Sequence, residues 1–258
     1  MAAEKNWTGE DEMAVYKMQI QYDGHRYNGW QRQGNTDNTI QGKIEETLGR
    51  ILSEDVEIKG AGRTDAGVHA IGQVAGFHTR KKGDVKKWME ELNRYLPKDI
   101  RILSLEKAEE RFHARLSAKG KTYRYMIDNG PVADVFSRAY SMRVESPLSV
   151  ERMEKAAELL TGTHDYKAFC GNPRMKKSTV RTVDSIRITK DQGKIQIEYH
   201  GDGFLFHMVR ILTGTLIEVG QGIKEPEEMP KILEGLDRQR AGFCAESQGL
   251  FLVEVDYR

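Results

Sequence analysis

An α+β fold, with a mixed and mainly antiparallel sheet backed by helices, is what this sequence predicts, on three observations. Several short runs alternate apolar with polar residues, the period of a half-buried strand. Between them, apolar residues recur three and four apart, the period of an amphipathic helix. Two strand-like runs, Ser185 to Thr189 and Ile195 to Tyr199, flank Asp191-Gln192-Gly193. That turn signal makes them an antiparallel hairpin, which sets the chain apart from a purely parallel α/β fold.

The elements follow in order. Tyr16, Met18, Ile20 and Tyr22 alternate with Lys17, Gln19 and Gln21, and Asp23-Gly24 ends this first strand. Ile40, Ile44, Leu48 and Ile51 mark a helix, with Asn38 or Thr39 as its cap. Val56 to Lys59 reads as a short strand entering a glycine-rich run, and Gln73 to Thr79 as another strand. Val85, Trp88, Met89, Leu92 and Leu96 mark a second helix, stopped by Pro97. Ile100 to Leu105 is a strand. Lys121 to Ile127 is the next, with Tyr123, Tyr125 and Ile127 on one face. Val150, Met153, Ala157 and Leu160 mark a helix capped by Ser149 and ended near Gly162. After the hairpin, Met208, Ile211, Thr215 and Val219 mark a further helix, and Leu250 to Val255 a last strand. This order of elements repeats once, so the chain divides into two similar halves. Residues 15–110 and 111–258 form them, after a polar tail of residues 1–14 that holds no apolar signal core. The join falls between Leu105 and Lys121, with no low-complexity linker.

With 258 residues, the chain is long enough for one large domain or two smaller ones. Hydrophobic residues make up 38% and charged ones 31%, a polar globular balance. No apolar stretch approaches the roughly 20 residues that span a bilayer, so a cytoplasmic protein without a membrane role is expected. Cys170 and Cys244 stand far apart, outside any CxxC or Cys/His cluster. A zinc site is not expected, and they read as two reduced thiols, a single disulfide being the alternative. The net charge of +1 excludes a bulk polycation, so binding to nucleic acid has to come from local patches. Three basic segments qualify: Arg80 to Lys82 with Lys86 and Lys87; Arg111 through Arg115, Lys119 and Lys121 to Arg124; and Arg174, Lys176, Lys177 and Arg181. Each alone reads as a solvated face. Interleaved with the acidic stretches Glu106 to Glu110 and Glu225 to Glu228, they point to a charge-segregated surface.

One run is dense in small residues: Gly60-Ala61-Gly62-Arg63-Thr64-Asp65-Ala66-Gly67. Small residues let a backbone turn tightly and let a ligand approach. Arg63, two residues before Asp65, can hold that carboxylate ionised, as a nucleophile or base requires. The alternative is a surface turn in which Asp65 caps a helix or pairs with Arg63 for structure. Phosphate-loop readings fail. Five residues before Gly120-Lys121-Thr122 stands Arg115 where a Walker loop has glycine. After Gly60 and Gly62, the third position of a dinucleotide-binding run is Asp65. The seven histidines are scattered, His200 and His207 included, and read as core or surface residues.

The run Gly62 to Ala70 resembles the signature loop of the TruA family of tRNA pseudouridine synthases. Other segments resemble the same family in order: Tyr22-Asp23-Gly24 with Gly29 to Gln33, Thr39 to Gly42, Arg111 to Arg115 with Lys119 to Tyr125, Gly203 to Arg210, and Gly249 to Leu252 with Val255 to Tyr257. The resemblance implies the pseudouridine synthase fold with a central RNA-binding cleft. It also implies isomerisation of uridine at positions 38, 39 and 40 of the tRNA anticodon arm, by base flipping, without metal or cofactor. By the same resemblance Asp65 is the catalytic aspartate and Arg210 its ion-pair partner. Tyr123 faces the flipped base, Arg63 meets the RNA, and Leu250 lines the pocket. Attack at C1′, addition to C6 and removal of a sugar proton all remain open to Asp65. A homodimer is implied, each tRNA lying across both subunits. Two rivals stand against this reading. An RNA-binding module would share the basic patches without needing Asp65. A hydrolase using Asp65 as nucleophile on a glycosidic or phosphoryl bond is the other; as a glycosidase it would need a second carboxylate, for which Asp23 and Asp202 are the nominal candidates.

Overall fold

The computed structural model of the chain describes residues 13–257, so residues 1–12 of the expected tail lie outside the described residues. The first half contributes β1 (Ala14–Tyr22), α1 (Ile40–Leu52), β2 (Lys59–Gly60), β3 (His69–Thr79), α2 (Val85–Tyr95) and β4 (Ile100–Lys107). Then come β5 (Gly120–Asp128), β6 (Met142–Arg143), α3 (Val150–Leu159), β7 (Gly162–Asp165), β8 (Val180–Asp191), β9 (Lys194–Gly201), α4 (Met208–Gly220), α5 (Met229–Gly235) and β10 (Leu250–Asp256). One ten-stranded sheet runs β4-β1-β3-β10-β5-β9-β8-β7, with β2 beside β3 and β6 beside β5. Among the described residues, only β3 with β10 and β5 with β6 pair in parallel. The sheet is therefore mixed and mainly antiparallel, with flanking helices, as the alternation of periods predicts.

Local chemistry explains most boundaries. Tyr16, Met18, Ile20 and Tyr22 are all buried, the face their alternation marks. Thr39 is the cap of α1, its hydroxyl accepting from Gly42 N at 3.2 Å. Ser149 caps α3 through Arg152 N. Helix α2 ends because Leu96, held before Pro97, is extended at φ −64° and ψ 148°. The hairpin of β8 and β9 turns at Gln192 and Gly193, both with positive φ, the two-residue geometry that suits the strand twist.

The differences also have causes. The strand expected over Val56 to Lys59 shrinks to Lys59–Gly60. Two side chains of α1 take up the backbone of Ile58: Glu45 accepts from its N–H at 2.9 Å and Gln41 donates to its carbonyl at 3.1 Å. Strand β3 begins at His69, four residues before expectation. It lies inside the sheet, and Ala70, Val74, Ala75 and Phe77 are buried together, so no alternation marks its start. Strands β6 and β7 and helix α5 have no counterpart among the expected elements; each is too short to carry a period.

The centre of the sheet positions the site. The parallel seam pairs His69 with Phe251 and Ala70 with Leu252, so β3 and β10 both begin at the same end. On the other side of β10, Leu252 opposes Tyr123 of β5. The loop before β3, the start of β10 and the middle of β5 thus converge.

Candidate active site

The loop over residues 61–68 is tied down along its length. Ala61 N donates to Val74 O at 2.7 Å, and Gln73 Nε2 to Gly62 O at 2.9 Å. The Thr64 and Tyr22 hydroxyls bond at 2.7 Å in a buried position, while Trp30 N donates to Thr64 O at 3.0 Å. Gly67, left-handed at φ 77°, turns the chain, and Val68 N closes the turn on Asp65 O at 3.2 Å. So many backbone bonds fix the loop that its one acidic side chain projects from a rigid frame. Asp65 lies in a cleft of about 910 Å³.

The Asp65 carboxylate is 25% exposed and has two partners on one oxygen. Arg210 Nη1 donates to Oδ2 at 3.3 Å, and His207 Nε2 stands 3.3 Å from the same atom. Arg210 projects from the first turn of α4 and is itself anchored, its Nε donating to Ala245 O at 2.7 Å. Asp65 therefore neither caps a helix nor pairs with Arg63. Arg63 is exposed and lines the same cleft.

Tyr123 is buried at the cleft wall, its ring edge-on to Phe204 with centroids 5.3 Å apart. Burial pushes its phenol well above the usual range, helped by the charge of Asp65, so the hydroxyl is protonated at neutral pH. Tyr125, on the same strand face, is a core residue whose hydroxyl donates to Glu246 O at 2.7 Å. Leu250, buried at the start of β10, lines the cleft too. The five residues singled out from sequence are all brought to one cavity.

Two functional candidates escaped the sequence reading. Lys121 faces the cleft near Gly62, and burial, with Arg115 and Arg181 nearby, pulls its ammonium down to about 8. It is visible in the sequence only as one member of a basic run. His207, read as a core or surface histidine, contacts Asp65 instead. The signal that could have found it is its spacing, three residues before Arg210. At the start of a helix that spacing puts two side chains on one face.

Two basic runs reach the cleft, through Arg115, Lys121 and Arg181; residues 80–87 do not line it. Neither nominal second carboxylate does. Asp23 pairs with His69 and accepts from the Tyr140 hydroxyl, while Asp202 accepts from Thr182 N. Cys170 and Cys244 are both free thiols. Among the described residues, no helix is long and apolar enough to cross a membrane.

Comparison with known proteins places the chain among tRNA pseudouridine synthases. A family model described as tRNA pseudouridine synthase matches residues 18–116 and 156–258. The tRNA pseudouridine synthase A of Bacillus sp. (strain KSM-64) is 50% identical over 245 residues, covering 95% of this chain and 100% of the relative. The tRNA pseudouridine synthase A 2 of Bacillus anthracis is 47% identical over 245 residues, again 95% of this chain and 100% of the relative. That of Ruminiclostridium cellulolyticum, a tRNA pseudouridine synthase A, is 46% identical over 246 residues, 95% of this chain and 100% of its own.

Proposed function

The chain belongs to the TruA family of tRNA pseudouridine synthases and is an isomerase of that kind; from that premise we propose that Asp65 is its catalytic carboxylate and that its substrates are uridines 38, 39 and 40 of the tRNA anticodon arm. The observation that carries the reading is Asp65 itself. It is a carboxylate on a rigid loop, open to a cleft, with one oxygen held by a fixed arginine. Isomerisation detaches uracil from C1′ of the ribose, turns it and rejoins it through C5. No group is lost and no redox change occurs, so a positioned carboxylate suffices without a cofactor.

The target base must leave its stack to reach Asp65, at a cost of about a few kcal/mol. Tyr123 offsets part of that cost by stacking on the flipped uracil. Its uncharged phenol keeps a hydroxyl available to relay the C5 proton. Leu250 closes the apolar side of the pocket, and Arg63, exposed beside Asp65, takes the RNA backbone. The same reading makes the protein a cytoplasmic homodimer with each tRNA crossing both subunits.

The test uses tRNA carrying tritium at uridine C5, which pseudouridine formation releases. Wild-type protein is expected to release tritium from tRNA with uridines in the anticodon arm, and Asp65→Ala to release none while binding tRNA within a few-fold of wild type. Normal turnover by Asp65→Ala removes the role assigned to that residue.

A further inference from the structure

Asp65 offers two oxygens, and both of its side-chain contacts are to Oδ2. We propose that His207 is a positioning residue of the isomerisation: together with Arg210 it takes up Oδ2, and Oδ1 is left as the oxygen that reaches the nucleotide. This inference rests on the reading of Asp65 as the catalytic carboxylate.

The local structure is built around the His207 side chain. His207 stands at the N-cap of α4 with φ 60° and ψ 4°, a left-handed backbone that non-glycine residues adopt at a cost. Its side chain makes no capping bond to the helix. A residue strained at a cap position without capping serves something other than the helix. Its ring is held on two sides. Phe206 stacks on it at 3.7 Å between centroids and 26° between planes. On another side Gly171 passes so close that a Cβ there would stand 2.8 Å from Nδ1 and 3.0 Å from the histidine Cβ. The Gly171 backbone is fixed in turn, its N–H donating to Phe206 O at 2.8 Å.

The charge state suits the role. The groups facing His207 are Asp65, Arg210 and Arg238, with the Cys244 thiol near the same charges and pushed up by burial. Burial pushes the imidazole below its ordinary value; Asp65 opposes this, and the two arginines add to it. A neutral imidazole whose Nε2 stands 3.3 Å from Oδ2 holds that oxygen without cancelling the carboxylate charge. Arg210 supplies the cation and His207 the second direction of hold, so the carboxylate cannot swing about a single contact.

Four variants in the tritium-release assay test this. His207→Phe keeps a ring beside Phe206 and removes the N–H. His207→Gln restores an amide N–H at similar reach. Gly171→Ala displaces the imidazole without removing it. Asp65→Ala is measured alongside. The expected result for His207→Phe is a fall in kcat of roughly 10- to 100-fold with tRNA Kd within about twofold of wild type. His207→Gln is expected to recover most of kcat, and Gly171→Ala to resemble His207→Phe. Wild-type kcat in His207→Phe overturns the proposal. So does equal slowing of His207→Phe and His207→Gln, which would make the ring's bulk all that matters. If Asp65→Ala turns over, the underlying reading falls; if Asp65→Ala is inactive and His207→Phe is normal, only this inference falls.

Discussion

A lysine ammonium buried beside two arginines is held in its charged form less firmly than one in water, and Lys121 is in that position. With its ammonium pulled down to about 8, Lys121 is a cation at pH 7 and mostly neutral at pH 9. Attraction for an RNA phosphate in the cleft is therefore present below pH 8 and lost as pH rises through it. At constant salt, tRNA affinity is expected to weaken roughly three- to tenfold between pH 7 and pH 9, measured by filter binding. Lys121→Met is expected to bind more weakly at pH 7 and to flatten that dependence. If the variant keeps the wild-type pH dependence, the titrating group lies elsewhere. Sequence singled out Asp65, Tyr123 and Arg210, which line the cleft, because their motifs run in order along the chain. It did not expose the shift at Lys121 or the contact of His207. Both arise from packing between residues far apart in sequence, and neither residue type announces it.

Among the elements, α4 bears most directly on the site, because it carries Arg210. Every residue of this helix is buried except Arg210 and Glu218, so its sequence period marks far less of it than the fold uses. The segment over residues 241–245 runs along it. Gly242 N donates to the Thr215 hydroxyl at 2.8 Å, Ala245 N to Arg210 O at 3.1 Å, and Arg210 Nε back to Ala245 O at 2.7 Å. Gly214 permits the approach: a Cβ there would stand 2.0 Å from the Phe243 carbonyl oxygen. Glycine to alanine inside a helix ordinarily stabilises by about 1 kcal/mol. Here backbone must move, and overpacking costs about 1–3 kcal/mol, so the sign reverses. Gly214→Ala is expected to lower Tm by a few degrees in a thermal scan, and to lower kcat by loosening the Arg210 anchor while tRNA binding holds. A higher Tm would mean that the segment does not clamp the helix. Elements of this kind are hard to read in advance. The polar edge strand β7 (Gly-Thr-His-Asp) has no apolar period, and the pairing of β10 with β3 joins residues that share no local signal.

At the scale of the whole molecule, a net charge of +1 leaves no general attraction for RNA, so binding has to be local. The cleft gathers Lys59, Arg63, Arg115, Lys121, Arg181 and Arg210 against the carboxylates Glu57 and Asp65. These cations come from β2, the loop before β3, β5 and its approach, the start of β8 and the start of α4, and the continuous sheet brings them together. Basic runs in the sequence are therefore not equivalent. Arg115 and Arg181 line the cleft; Arg80 and Lys81 lie outside its lining. Each phosphate contact released from the complex changes the slope of log affinity against log salt by about 0.7 to 0.9. Arg115→Ala and Arg181→Ala are each expected to lower the slope by about that amount. Under the same titration Lys81→Ala is expected to leave it unchanged. A loss of slope in Lys81→Ala equal to that in Arg115→Ala would carry the RNA path beyond the cleft and over the far end of β3. It would also return the first basic run to the binding surface, on an observation that neither its composition nor its place in the fold supplies.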